Sequence, residues 1–425
     1  MNDQHDRRSF LKLGAALGTA WAVGRNCGLA DAPDVKTPPI DNVRIGLVGI
    51  GSRGTHLLSL LLDQERVEVK AVCDIIPERV AKAQDMVTAA QQPQPAGYSR
   101  GETDFKRLCD TEELDLVINA TRPWKWHVPI SVAAMTTGKH AATEVPAAET
   151  IEECWQLVET AEKTQKYCVM LENCCYFREA MLVHNMLRKG LLGELRHCEA
   201  GYQHYGARAR PGAPPRPREG KIHTANSYPT HPIGPVAQWM DINRGNRFDY
   251  LVSMSADGTE GNRHADINTS LIRTAHGQTV TLYYDTKLPR PYDLIYRVQG
   301  TRGICMASSD KIYIEGRSPA PDTWESLETY YNEFEHPLWK GLGEKALKRG
   351  GHGGGDWMVV HRLIQALRTG TPPDMDVYDA ATWSCITELS EKSVANRSAS
   401  MDFPDFTRGR WETTPPIGIL TPPSE

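Results

Sequence analysis

Val43-Arg44-Ile45-Gly46-Leu47-Val48-Gly49-Ile50-Gly51-Ser52-Arg53-Gly54 is the stretch that decides the fold. A short apolar β-type run passes straight into glycines, and Thr55 to Leu62 continues as a helical pattern. Strand, tight turn and helix in that order give the G-x-G-x-x-G spacing its meaning. Gly49 permits the turn, Gly51 lets the backbone approach a pyrophosphate, and Gly54 lets helix and strand pack closely. The helix N-terminus, carrying Ser52 and Arg53, then faces the anion. Asp74 closes a second strand 20 residues beyond Gly54. An acid there accepts hydrogen bonds from the adenosine ribose and repels a 2'-phosphate, so the expected cofactor is NAD rather than NADP.

Outward from this motif, β-type runs at Val67 to Ile75, Leu114 to Ala120, Lys139 to Val145 and Tyr167 to Glu172 alternate with helical patterns. The helices are expected at Pro77 to about Ala90, Val128 to Thr137 and Ile151 to Thr164. Parallel strands need such crossovers, so residues 41–170 read as a Rossmann domain of the α/β class. From Leu195 the pattern becomes strands joined by turns: Leu195 to His204, Tyr250 to Ala256, Asn268 to Ala275, Thr279 to Asp285, Leu294 to Gln299, Gly303 to Ala307 and Lys311 to Glu315. A C-terminal domain over 171–400 with a mainly antiparallel open β-sheet, of the α+β kind, is the natural reading. Helical patterns at Trp357 to Thr369 and Tyr378 to Asn396 follow, then a Pro-rich tail at 401–425.

The chain's 425 residues suffice for two such cores. A net charge of -5 without any long run of Lys or Arg excludes the basic stripe of a nucleic-acid binder. Arg7-Arg8-Ser9-Phe10-Leu11-Lys12 precedes an apolar run from Leu13 to Val23, the form of a twin-arginine export signal, read over 1–32 with cleavage near Ala30 or Ala32. That run is shorter than the roughly 20 apolar residues of a membrane span, so a periplasmic, envelope or secreted protein without a stable span is expected. Twin-arginine export carries folded proteins, which suits a chain that takes up its cofactor in the cytoplasm. Nine cysteines lie beyond Cys27, in no spacing that matches a zinc site, so no metal is expected.

The chain resembles the Gfo/Idh/MocA oxidoreductases, and within them the NAD-dependent α-N-acetylgalactosaminidases of glycoside hydrolase family 109. The residues that carry the likeness are Arg122-Pro123-Trp124-Lys125-Trp126-His127, Glu144-Val145-Pro146-Ala147-Ala148, Glu172-Asn173-Cys174-Cys175-Tyr176, Asn226-Ser227-Tyr228-Pro229-Thr230-His231-Pro232-Ile233-Gly234-Pro235 and His352-Gly353-Gly354-Gly355-Asp356. Sugar dehydrogenases of the wider family carry E-K-P after the fifth strand, whose lysine serves proton transfer. Here Val145 takes that place, as in the glycosidase branch, and valine moves no proton.

The resemblance implies a redox-neutral glycosidase: tightly bound NAD oxidises sugar C3, the aglycone leaves by elimination, water adds at C1, and the hydride returns. It implies His231, Tyr228 and Tyr176 as catalytic and substrate-binding residues, with Glu144 also at the sugar. Cofactor contacts are expected from Trp124, Trp126, His127, Glu144 and Asn173 besides the glycine motif and Asp74. Tyr228 and His231 are read as lying in a Pro-containing loop. Asp356 is read either as a helix N-cap or as part of a glycine run approaching the sugar. The rival readings are an NAD-dependent sugar dehydrogenase, against which Val145 speaks, and a non-catalytic NAD- or sugar-binding envelope protein. A homodimer through an exposed face of the second sheet is the expected assembly.

Overall fold

Strands and helices alternate along the first part of the chain in the order β1 (Val43–Val48), α1 (Ser52–Leu61), β2 (Val67–Cys73), α2 (Pro77–Ala89), β3 (Ala96–Tyr98), α3 (Asp104–Thr111), β4 (Leu116–Asn119), α4 (His127–Thr136), β5 (His140–Thr143), α5 (Ile151–Thr164) and β6 (Cys168–Met170). The computed structural model describes residues 35, 37–122, 124–205, 224–256 and 266–421. The export signal and the Arg-rich loop from Arg208 to Arg218 lie outside the described residues.

These six strands pair in parallel in the order β3-β2-β1-β4-β5-β6. The order reverses between β1 and β4, and ligands of such sheets bind in the crevice outside the strand ends at that reversal. Val43, Ile45 and Leu47 of β1 are fully buried, as a central strand covered on both faces requires. The sequence pattern does not announce β3 or α3, because a three-residue strand and an eight-residue helix offer too little periodicity.

The chain continues through a 3-10 turn at Asn173–Tyr176 to α6 (Arg178–Arg188), β7 (Leu195–Gln203) and α7 (Thr230–Trp239). Then come β8 (Phe248–Ser255), β9 (Asn268–Thr274), β10 (Thr279–Asp285), β11 (Arg297–Gly300), β12 (Gly303–Met306), β13 (Lys311–Ile314) and β14 (Glu325–Ser326). Helices α8 (Glu328–Phe334), α9 (Pro337–Arg349), α10 (Gly355–Thr369), α11 (Val377–Ser384) and α12 (Ile386–Ala395) precede β15 (Met401–Asp402). The second sheet has nine strands in the order β14-β13-β12-β11-β7-β10-β9-β8-β15. It is mixed rather than purely antiparallel, because β7 and β10 run parallel at its centre. β11 starts three residues later than its apolar pattern suggests: Ile295 and Tyr296 take positive φ angles of 68° and 41°, which end an extended ladder.

Two boundaries differ from the sequence reading. Helices α10 and α11 pack back on α1 and α5, so residue 170 divides the sheets but not the packing. The Pro-rich tail is also folded in part: β15 pairs with β8, Phe406 is 1% exposed against Trp155, and Arg410 pairs with Glu162. No helix among the described residues is long and apolar enough to cross a membrane.

Candidate active site

The first cluster forms where β1 ends. Gly49 has φ +89°, and a Cβ there would fall 2.7 Å from the Thr121 backbone nitrogen. A Cβ on Gly54 would overlap the Gly49 carbonyl at 1.8 Å, so both glycines are required by the turn itself. At Gly51 the nearest atom to a Cβ is 4.0 Å away, and nothing in the protein demands a glycine. The open space there, at the start of a helix with no side-chain cap and no acid in its first turn, fits a pyrophosphate. Asp74 is fixed beside it: its carboxylate accepts the Ile50 amide at 2.7 Å and the Ile76 amide at 2.9 Å. The motif therefore fits NAD on geometric grounds as well as by spacing.

Arg53 turns from the same helix toward two carboxylates. Its Nε donates to Glu144 at 2.7 Å and its Nη1 to Asp356 at 2.7 Å. Glu144 is therefore an ion-pair partner at the end of β5; α5 has its own capping box from Thr150 and Glu153. Asn173, the expected cofactor contact after β6, donates to the other oxygen of Asp356 at 2.6 Å. Asp356 is not an N-cap. Gly354 holds that position, and Asp356 sits in the first turn of α10 with its side chain buried.

The second cluster centres on His231. Rather than a loop, the structure places it in the first turn of α7, with Tyr228 just ahead of Pro229 at the N-cap. Prolines are tolerated in a first turn, where amides lack partners anyway. Pro235 lies deeper and cannot donate to the His231 carbonyl four residues back; the hydroxyl of Tyr296 supplies that bond instead at 2.9 Å. Gly234 lets α7 approach the 172–175 turn, since a Cβ would come within 3.0 Å of Cys175 Sγ and Glu172 Cγ.

That approach brings His231 Nδ1 to 2.6 Å from Glu172 Oε1. Glu172 is fully buried, caps its own turn by accepting the Cys174 amide, and selects the tautomer in which Nδ1 carries the proton. Nε2 is left with its lone pair for chemistry. Glu172 is the residue whose role reading the sequence missed: it stands in a quoted motif, but its partner His231 lies 59 residues further on and no local spacing joins them. Cys174 completes a group whose ligand atoms lie within 4.8 Å of one another. Burial and the charge of Glu172 hold its thiol well above the usual range.

Around His231 stands an aromatic wall. Tyr228 lies 4.9 Å from it and Tyr202 5.4 Å, ring centre to ring centre, while Trp124 meets Tyr228 at 5.7 Å. Tyr202 and His204 at the end of β7 and Tyr292 ahead of β11 extend the wall, and none of the three was anticipated, because β7 read simply as a strand and Tyr292 stands in no motif. Burial pushes the Tyr228 phenol far up, as do neighbouring Tyr202, Glu144 and Glu172, so it donates hydrogen bonds rather than serving as a phenolate base.

Three expected site residues belong elsewhere. Tyr176 is 3% exposed and its hydroxyl donates to Asp374 at 2.8 Å, which Arg362 also grips; it bolts the 173–176 turn in place and stands outside the aromatic wall. His127 is fully buried between the Pro146 and Thr121 carbonyls, at 2.6 and 3.0 Å, and offers no stacking face. Burial keeps its imidazole below the ordinary range. Trp126 packs edge-on to Phe105 beside the core of the first domain.

With this geometry in place, comparison with known proteins is informative. Residues 43–172 match the oxidoreductase family with an NAD-binding Rossmann fold, and residues 213–265 and 261–413 match the C-terminal domain of glycosyl hydrolase 109. A glycosyl hydrolase family 109 protein of Solibacter usitatus is 42% identical over 98% of this chain and 100% of its own length. The chain belongs to glycosyl hydrolase family 109. Another relative, from Shewanella oneidensis, is 40% identical over 97% of this chain and 98% of its own, and is named alpha-N-acetylgalactosaminidase. The fold is shared with levoglucosan dehydrogenase in complex with NADH and L-sorbose, at a TM-score of 0.67 and 19% identity over 86% of this chain and 100% of that one. It is shared too with the WlbA dehydrogenase of Bordetella pertussis, at 0.62 and 16% over 87% and 99%. The protein is thus an NAD-dependent glycoside hydrolase on a dehydrogenase fold.

In this family 109 enzyme, Val145 is buried and brings no proton carrier to the end of β5. The hydrogen-bonded Glu172–His231 pair is a group that can carry a proton. Glu172→Gln keeps the shape and one acceptor but removes the charge behind the imidazole. Glycoside turnover should fall by about 10²–10⁴-fold with little change in KM; wild-type kcat in a folded variant would refute the pairing.

Proposed function

We propose that this enzyme hydrolyses α-N-acetylgalactosaminides by a redox-neutral cycle with NAD held throughout. The observation that carries the reading is the Glu172-backed imidazole of His231, set in an aromatic wall beside the glycine turn. When bound, NAD accepts hydride from sugar C3 and later returns it, so the C2 proton is acidified in between and the C1 substituent can leave.

His231 Nε2 is the base for these protons, and Glu172 stabilises the imidazolium that forms. Tyr228, kept protonated by its surroundings, hydrogen-bonds the sugar hydroxyl and hands on its proton only as another arrives. Gly51, Asp74 and the first turn of α1 hold the dinucleotide; Arg53, Glu144 and Asn173 frame its nicotinamide end. The aromatic wall favours a galacto ring, whose axial C4 hydroxyl leaves one face with contiguous C–H groups for stacking. The N-acetylgalactosamine preference draws on the name of the Shewanella oneidensis relative. Export in folded form through Arg7-Arg8 belongs to the same proposal, since a cofactor that is regenerated in place need not be supplied outside the cytoplasm.

Purified, unsupplemented protein should release nitrophenol from p-nitrophenyl N-acetyl-α-galactosaminide without net NADH absorbance at 340 nm, and His231→Ala should abolish release. Sustained NADH formation from free sugars with added NAD, and no release, would make it a dehydrogenase instead.

The open face of the second sheet is the proposed seat of a second copy. Met254 (67% exposed) and Leu271 (46%) lie on it; the Leu271 row continues through Thr281 to the Glu199–Arg297 ion pair, and the Met254 row through Thr269 to Tyr283. These two exposed apolar side chains would leave water against another surface, and a two-fold pairing matches the face to itself. Light scattering should return twice the chain mass, and Leu271→Glu should halve it. A monomer in the unmodified protein rules the dimer out.

A further inference from the structure

We propose that Asp356 is a positioning residue for NAD, setting through Arg53 and Asn173 how tightly the enzyme keeps its cofactor. Its carboxylate is buried and accepts four side chains from three parts of the chain: Arg53 Nη1 at 2.7 Å and His56 Nε2 at 3.1 Å from α1, Asn173 Nδ2 at 2.6 Å from the turn after β6, and His352 Nδ1 at 2.8 Å from the turn before α10. Two of these, Arg53 in the first turn after the glycine motif and Asn173 in the turn after β6, are residues that the proposed function, on which this inference rests, puts at the two ends of the cofactor. A single carboxylate thus fixes both ends of the cradle relative to each other.

The arrangement also explains why Arg53 can stand beside a dinucleotide without being consumed by Glu144. Nε and Nη1 are taken by Glu144 and Asp356, and among the described residues Nη2 donates to no protein group. The guanidinium is thereby held in one orientation with its remaining edge free for the anion. Burial opposes the charge on Asp356, but the bonds from His352, His56 and Arg53 outweigh it and keep the group ionised. His352 is exposed over 62% of its side chain, and its bond to Asp356 raises its own affinity for a proton.

The charged groups facing His352 are Asp356 on its own segment, Arg53 on α1 and Glu144 after β5, with His56 sharing Asp356. Protonated His352 offsets the two carboxylates beside a site that must take a diphosphate. As pH rises through its raised pKa that positive charge is lost, and NAD should bind less tightly. The contribution is present at acid pH and disappears toward alkaline pH.

The test is the dissociation constant for NAD, read by tryptophan fluorescence on the full-length chain, beside the melting temperature of the NAD-free protein. Neither readout depends on which glycoside is cleaved. Asp356→Asn should weaken NAD by about tenfold or more, the worth of one charge-assisted bond, while the NAD-free protein melts within a few degrees of wild type. A folded Asp356→Asn protein with the wild-type constant overturns the proposal. If that variant does not fold, His352→Gln, which removes one of the bonds that orient the Asp356 carboxylate, decides: NAD binding weaker than wild type at acid pH, by a factor that shrinks as pH rises, supports the positioning role, and binding equal to wild type at acid and alkaline pH overturns it.

Discussion

Parallel pairing forces β1, β4, β5 and β6 to end along one edge, and the candidate site is arranged on that edge. The glycine turn follows β1, Trp124 follows β4, Glu144 follows β5, and Glu172 with Asn173 follows β6. None of these side chains could meet if a single crossover ran to the other end of the sheet. The second sheet then needs to bring only one element, α7, with its His231, and a wall of tyrosines.

The charges at this edge are disposed in two separate units. One is the Arg53–Glu144–Asp356 set, in which the cation bridges two acids and the histidines complete the balance. The other is Glu172 with His231. Removing one member of the Glu172–His231 pair strands its partner in a poorly solvated place, at a cost of about 3–5 kcal/mol for buried pairs. In the proposed mechanism, keeping the units apart separates holding the cofactor from moving the proton.

Much of this was legible in the sequence because local spacing carried it. Gly49, Gly51, Gly54 and Asp74 sit where a strand, a turn and a helix must put them, and the alternation of patterns gave the parallel sheet. The Tyr228 and His231 pair was legible as a motif, though Pro229, Pro232 and Pro235 hid the helix that carries it, since a helix with an interior proline depends on a distant hydroxyl, that of Tyr296. Glu172 and Asp356 were quoted in motifs without their roles, because both act through partners 59 to 303 residues away. Tyr176 and His127 were misplaced for the same reason: sequence puts them at the right strand ends but does not say that Asp374 and the Pro146 carbonyl turn them inward.

The central claim is that hydrolysis passes through loss and return of the C2 proton at His231 rather than through direct displacement at C1. Hydrolysis of p-nitrophenyl N-acetyl-α-galactosaminide in D₂O, with the released sugar analysed by proton NMR, tests it most directly. The account predicts that the sugar carries deuterium at C2. Full release of sugar with an unlabelled C2 would contradict it.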